Sequence, residues 1–273
     1  MIRFMHAEIY KLRKSKSFYI FLIITVAFVA LMYGTIGMMG STIRGKADDS
    51  MTAMIQNNMQ ATDGSIWDRF QVMDYMRQIF SGDMIACVIG IFTSIFVIRE
   101  YGSGMMKNIV GKGSSRGSIY LSKLLATVFA SLLFSLTGVV AVLAIGRIFI
   151  GANAFAGDFW KNLMVYVTLQ LIMTCTLTAI FVMIGELCRN LAAAISISIG
   201  IAALPTMILH VIDMQFADQG ITLSQYWPVS RMAGCPFQGF TAGYVTETLV
   251  TATLWLGLAT GVGMWHFYRT DIS

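Results

Sequence analysis

Six runs of almost wholly apolar residues, 18–39, 79–98, 120–150, 163–185, 191–212 and 245–267, constrain this chain more than any motif in it. A helix needs roughly 20 apolar residues to cross a hydrocarbon core, and each run reaches that length. Of 273 residues, 56% are hydrophobic and 12% charged, a charged fraction about half that of an ordinary soluble domain. The bilayer is therefore the solvent for these faces. The expected fold is an all-α polytopic membrane protein: one transmembrane domain over 1–273, six transmembrane helices, an interfacial helix over 1–17, and outer segments at 40–78 and 213–244.

The first run is too long for the apolar core of a cleavable signal, and no small-residue cleavage site follows it, so it is read as the first span. Cys87, Cys175, Cys188 and Cys235 are scattered and suggest no disulfide framework; they read as small packing residues. Orientation follows from the basic residues flanking the spans. Arg3, Lys11, Arg13, Lys14 and Lys16 precede span one, while Arg99, Lys107, Lys112, Arg116 and Lys123 surround the loop after span two. Both groups are expected on the cytoplasmic side, with Arg189 and Arg269, which puts both termini there. The net charge of +5 then reflects membrane topology rather than nucleic-acid binding.

Before span one, Ile2, Met5, Ile9 and Leu12 fall on one arc of a helical wheel, with Arg3, Glu8, Lys11 and Lys14 opposite. This pattern predicts a helix lying along the inner leaflet. Ionisable and polar groups inside the spans are few, and each is a potential pathway residue because its burial in lipid is costly. Asp83 in span two, Gln170 and Thr174 in span four and His210 in span five are the possible translocation path. The threonines of span four could equally bond to their own helix carbonyls. Pro205 should kink span five, and Glu186-Leu187-Cys188-Arg189-Asn190 reads as a tight inner turn. The aromatics around Trp227-Pro228 and Cys235-Pro236 suit short helices at the outer interface.

The polar, basic interval 99–118 is the best working contact. Met105, Met106, Ile109 and Val110 recur at helical spacing opposite Lys107 and Asn108, Gly111 is placed to end such a helix, and Ser118 reads as the N-cap of span three. A plain solvated loop is the other reading. Gly111-Lys112-Gly113 is not a phosphate-binding loop, since Met106 stands where that motif needs glycine and Gly113 where it needs Ser or Thr. No set of carboxylates, His/Cys ligands or nucleophile and base converges on one face.

Taken together, the basic segment Glu8-Ile9-Tyr10-Lys11-Leu12-Arg13, the six spans, Glu100-Tyr101-Gly102-Ser103-Gly104 and the Ser115-Arg116 and Tyr120-Leu121-Ser122-Lys123 before span three resemble the permease subunit of a type-2 ATP-binding-cassette (ABC) exporter. That group includes antibiotic-resistance and lantibiotic-immunity exporters. The resemblance implies a cytoplasmic coupling helix in 99–118 seated on a separate ATPase subunit, with Arg99, Glu100, Met105, Met106, Lys107, Ile109 and Val110 at the contact. It implies a second copy of this permease, or a similar one, spans one and five meeting that partner, and an amphiphilic substrate. No cofactor is expected on this chain; ATP and magnesium would sit on the partner. A secondary transporter or channel, and a non-transporting immunity protein that binds a toxin at its outer loops, stay open as alternatives.

Overall fold

The computed structural model describes residues 2–46, 76–77, 79–80, 83–102, 116–149, 159–216, 222–236 and 239–269. Among them the regular elements are helices: α1 (Ile2–Lys14), α2 (Lys16–Lys46), α3 (Asp83–Gly102), α4 (Arg116–Phe149), α5 (Phe159–Cys188), α6 (Leu191–Gln215), a single 3₁₀ turn (Ser224–Tyr226), α7 (Pro228–Ala233) and α8 (Ala242–Arg269). Of the expected outer segment 40–78, residues 47–75 lie outside the described residues, as does the expected helix through Met105–Val110.

Helix α5 is the centre. Its apolar window is 67% buried, against 11% for α6, and it packs against α3, α4, α6, α7 and α8. A helix that is apolar all round is stable only if enclosed, and α5 is enclosed by protein. Glycines set the closest approaches. A Cβ on Gly90 of α3 would lie 3.1 Å from the Ser198 Cβ of α6 and 3.3 Å from the Phe181 ring of α5. One on Gly185 would lie 3.2 Å from Val97. On the other side of α3, Phe18 and Phe21 of α2, Phe92, and Phe134 of α4 form an aromatic cluster, with Phe92 and Phe134 edge to face at 4.9 Å. Tyr33 fixes α2 to α4 by donating to the Val142 carbonyl at 3.0 Å.

Among the described residues, five helices are long and apolar enough to cross a membrane: those containing the first, third, fourth, fifth and sixth expected spans. In α3, the second expected span, the apolar stretch is the shorter Met84–Arg99. The chain just ahead of α3 is nevertheless part of the bundle, since Met76, Ile79 and Phe80 are buried in the core and Phe80 packs edge-on against Tyr166.

Two local expectations need correction. Ser118 is not an N-cap, because α4 already begins at Arg116 and the Ser118 carbonyl accepts a bond from the Ser122 hydroxyl at 2.7 Å inside it. Glu8 does not face water: it is buried and paired with Lys11 at 2.8 Å, because α1 packs on α4. Of the apolar stripe on α1, Leu12 is buried, Ile9 half-buried and Met5 exposed.

The stretch 222–236 caps one end of the bundle. Pro228 takes the first turn of α7, where its missing N–H costs nothing, and Val229 and Met232 are buried in the core. Asp213 at the end of α6 accepts from the Leu223 and Ser224 amides at 2.6 and 3.1 Å, and Arg231 of α7 donates to the Thr248 hydroxyl and to Glu247 of α8 at 3.0 and 3.1 Å. Burial pushes the Cys235 thiol up to about 11, so it stays protonated and packs.

Glycine packing gives a paired expectation. Gly90→Leu should force α3 away from α5 and α6 and cost about 1–3 kcal/mol. Gly257→Leu on the open face of α8, where a Cβ meets nothing within 4 Å, should stay within about 0.5 kcal/mol. Thermal unfolding of the two purified variants measures both, and equal losses would refute this packing.

Candidate functional site

Residues 103–115 lie outside the described residues, but the two helix ends that flank them, the end of α3 and the start of α4, are each fixed by named side chains. The departure is fixed by a buried charge cluster. Glu186 stands in the last turn of α5, where the helix dipole disfavours an anion, and its side chain is 1% exposed. Lys123 of α4, also 1% exposed, places Nζ 3.3 Å from Glu186 Oε1. The Tyr101 hydroxyl, one residue before the end of α3, donates to Glu186 Oε2. Lys123 and Arg189 both lie over the Tyr101 ring, at 4.8 and 5.3 Å from its centre. Such contacts are worth most where water is excluded.

The turn after α5 makes this arrangement possible. Arg189 has a left-handed backbone, φ 50°, which ends the helix at Cys188. Asn190 then caps α6, its side-chain oxygen accepting from the Ala192 and Ala193 amides at 3.0 and 3.4 Å. Reversing the chain within two residues leaves Glu186 pointing inward and brings Arg189 over Tyr101. The expected tight turn is present.

The return is fixed by α8. Arg116 donates through Nη1 to the Tyr268 carbonyl at 2.9 Å, and the Gly117 amide donates to the Tyr268 hydroxyl at 3.2 Å. A Cβ at Gly117 would come within 2.7 Å of that hydroxyl, so a side chain there would displace the Tyr268 ring and its bond. One turn on, Tyr120 occupies the space that a side chain at Gly263 would fill and rests against Phe267. The end of α3 is thus tied to α5 and the α5–α6 turn, and the start of α4 to α8.

The expected contact residues are distributed as follows. Arg99 is exposed in the last turn of α3, and Glu100 continues the same helix. Met105, Met106, Lys107, Ile109 and Val110 lie outside the described residues. Of the expected path residues, Asp83 opens α3. Gln170 is buried and donates to the Met232 carbonyl at 2.9 Å, so it holds the cap. Thr174, one turn further, is buried with its hydroxyl 3.4 Å from that of Ser135. His210 is on the exposed side of α6. Gln170 and Thr174 each meet a neighbouring element of the bundle, and His210 does not share their buried face. On α1, Ile2 begins the helix, and the burial of Met5, Ile9 and Leu12 is as given above.

Tyr101, Lys123, Glu186 and Arg189 did not stand out as a site in the sequence. The available signal was an ammonium one turn inside the start of one apolar run and a carboxylate immediately after the end of the next. Their pairing should show as a coupling energy. Lys123→Met alone leaves a buried carboxylate without its cation and should cost about 3–5 kcal/mol, whereas Lys123→Met with Glu186→Leu should recover much of that loss. Thermal stabilities of the single and double variants give the cycle, and additive losses would mean the two groups are independent.

No curated protein matches the chain. The family model described as ABC-2 family transporter protein matches residues 4–205, from α1 to the proline inside α6, and so contains Tyr101, Lys123, Glu186 and Arg189. With most of its length inside that match and its long apolar helices, the chain is a multi-pass membrane protein that belongs to the ABC-2 transporter family.

Proposed function

We propose that this membrane component of an ABC transporter works as the permease subunit of an exporter for an amphiphilic substrate, a peptide antibiotic, lantibiotic or lipid-linked compound. A separate ATPase subunit drives it, and ATP and magnesium bind there. The ATPase seats on 99–118, with Met105, Met106, Ile109 and Val110 as the apolar anchor and Arg99, Glu100 and Lys107 beside it. The observation that carries the reading is the double attachment of this segment, through Glu186 to α5 and through Tyr268 to α8. A simple connection between spans has no need of a buried cluster at one end and an arginine clasp at the other.

A single bundle encloses little room for an amphiphile, so the path is placed between two permeases. The wide exposed apolar faces of α2 and α6, including Ile20, Ile23 and Leu31 on one and Leu204, Met207 and Val211 on the other, suit either lipid or a second copy. Both termini and segment 103–115 are placed in the cytoplasm.

Charging the anchor is the direct test. Met106→Asp with Ile109→Asp should weaken the ATPase complex roughly a hundredfold or more, since it puts charges into a desolvated contact, while Lys112→Gln on the rim should change it by less than about 1 kcal/mol. Co-purification with the ATPase and substrate-stimulated hydrolysis provide the readouts; an intact, fully stimulated complex in the double variant would sink the proposal. Orientation has its own check. In a cysteine-free background, a cysteine at Ser224 should react with a membrane-impermeant reagent in intact cells and one at Ser114 should not.

A further inference from the structure

At the end of the bundle opposite the charge cluster, Val140, Leu143, Ala144 and Arg147 of α4 recur at i, i+3, i+4 and i+7 and so share one face. With Trp160 of α5 they line an open groove of about 300 Å³. The residues of its floor are apolar, and Val140 and Ala144 are exposed. Its upper rim carries the exposed Arg147 and the half-exposed Trp160.

Depth decides what meets such a groove. At 1.5 Å per residue, about 36 Å of helix separates Lys123 from Arg147, slightly more than the roughly 30 Å of a hydrocarbon core. With Lys123 at one boundary, Arg147 stands at the headgroup level of the other leaflet, where indole rings such as Trp160 also settle. Val140, two turns below, lies among acyl chains. The occupant must then be apolar for about 10 Å and anionic at its end. A guanidinium offers planar, paired donors and no acceptor, which suits a phosphate diester. The volume is at the small end of ligand sites and fits one chain rather than a whole lipid.

We propose that this groove binds an anionic phospholipid of the leaflet at the cap end, with its phosphate on Arg147 and one acyl chain along Val140, Leu143 and Ala144. An arginine that only reaches for water would be indifferent to headgroup charge. The site is independent of the coupling role given to 99–118, so either can fail alone.

The test is native mass spectrometry of the full-length protein titrated with phosphatidylglycerol or phosphatidylcholine. Wild type should retain one more phosphatidylglycerol than Arg147→Gln at the same concentration, with roughly a fivefold change in affinity for that lipid, the scale of one cation at an anionic surface. Arg147→Lys should keep most of the retention. Ala144→Trp, which fills the floor, should lose it with the arginine intact. Because Arg147 is exposed, the Gln variant is expected to fold, and the Lys variant reports on any that does not. Equal phosphatidylglycerol counts in wild type and Arg147→Gln would overturn the proposal, as would a loss that is the same for phosphatidylcholine.

Discussion

A carboxylate at the C-terminal end of an apolar helix is disfavoured by the lost hydration and by the helix dipole. Glu186 is held in this position with its side chain almost wholly enclosed, and the local architecture answers that cost. Lys123 must come from α4 and the Tyr101 hydroxyl from α3, so three successive helices are brought to one point. The pair is weak evidence for net stability, since an apolar replacement can do as well. What it supplies is a fixed geometry: α3 leaves, α4 returns and α6 begins within reach of the same carboxylate.

Around this point the helices differ in how firmly they are held. Helix α6 buries only Ala194, Ser198 and Ala202, one residue per turn on a single face. That narrow stripe fits Gly90 and Ser94 of α3, where the Ser94 and Ser198 hydroxyls lie 3.3 Å apart. Small residues allow close backbone approach in a membrane, but they bury little side-chain area. By the logic that regions with few buried contacts open first, α6 is the least firmly held of the long helices and α5 the most.

Run length and turn chemistry made most of the fold legible. The long helices follow from apolar length, the α5–α6 reversal from Glu186–Asn190, and α7 from Trp227-Pro228. Pairings between distant residues were not legible. Hydropathy treats Lys123 as a fault in one apolar run and Glu186 as the polar end of another, and nothing in either run says that they meet. The same blindness applies to Gln170 and Thr174, because a polar group facing a neighbouring helix and one facing a channel carry the same sequence signal. Glu8 was placed on the wet side of α1 for a related reason: the wheel records which residues share a face, not whether another helix covers it.

Helix α5 also ties the two ends of the molecule together. Near one end Gln170 holds the cap through the Met232 carbonyl; near the other Glu186 holds Tyr101 and Lys123. About 24 Å of helix separates them, with no proline, the usual source of a sharp kink, and one glycine, Gly185, next to Glu186 and packed on Val97. The hydroxyl of Thr176 donates to the Ala252 carbonyl of α8 at 3.3 Å and that of Thr174 meets Ser135 of α4, so the rod is braced sideways as well. A stiff element fixed at both ends cannot yield locally. A movement of Tyr101 at the end of α3 must therefore break its bond to Glu186 or carry α5, and with it the seat of the cap.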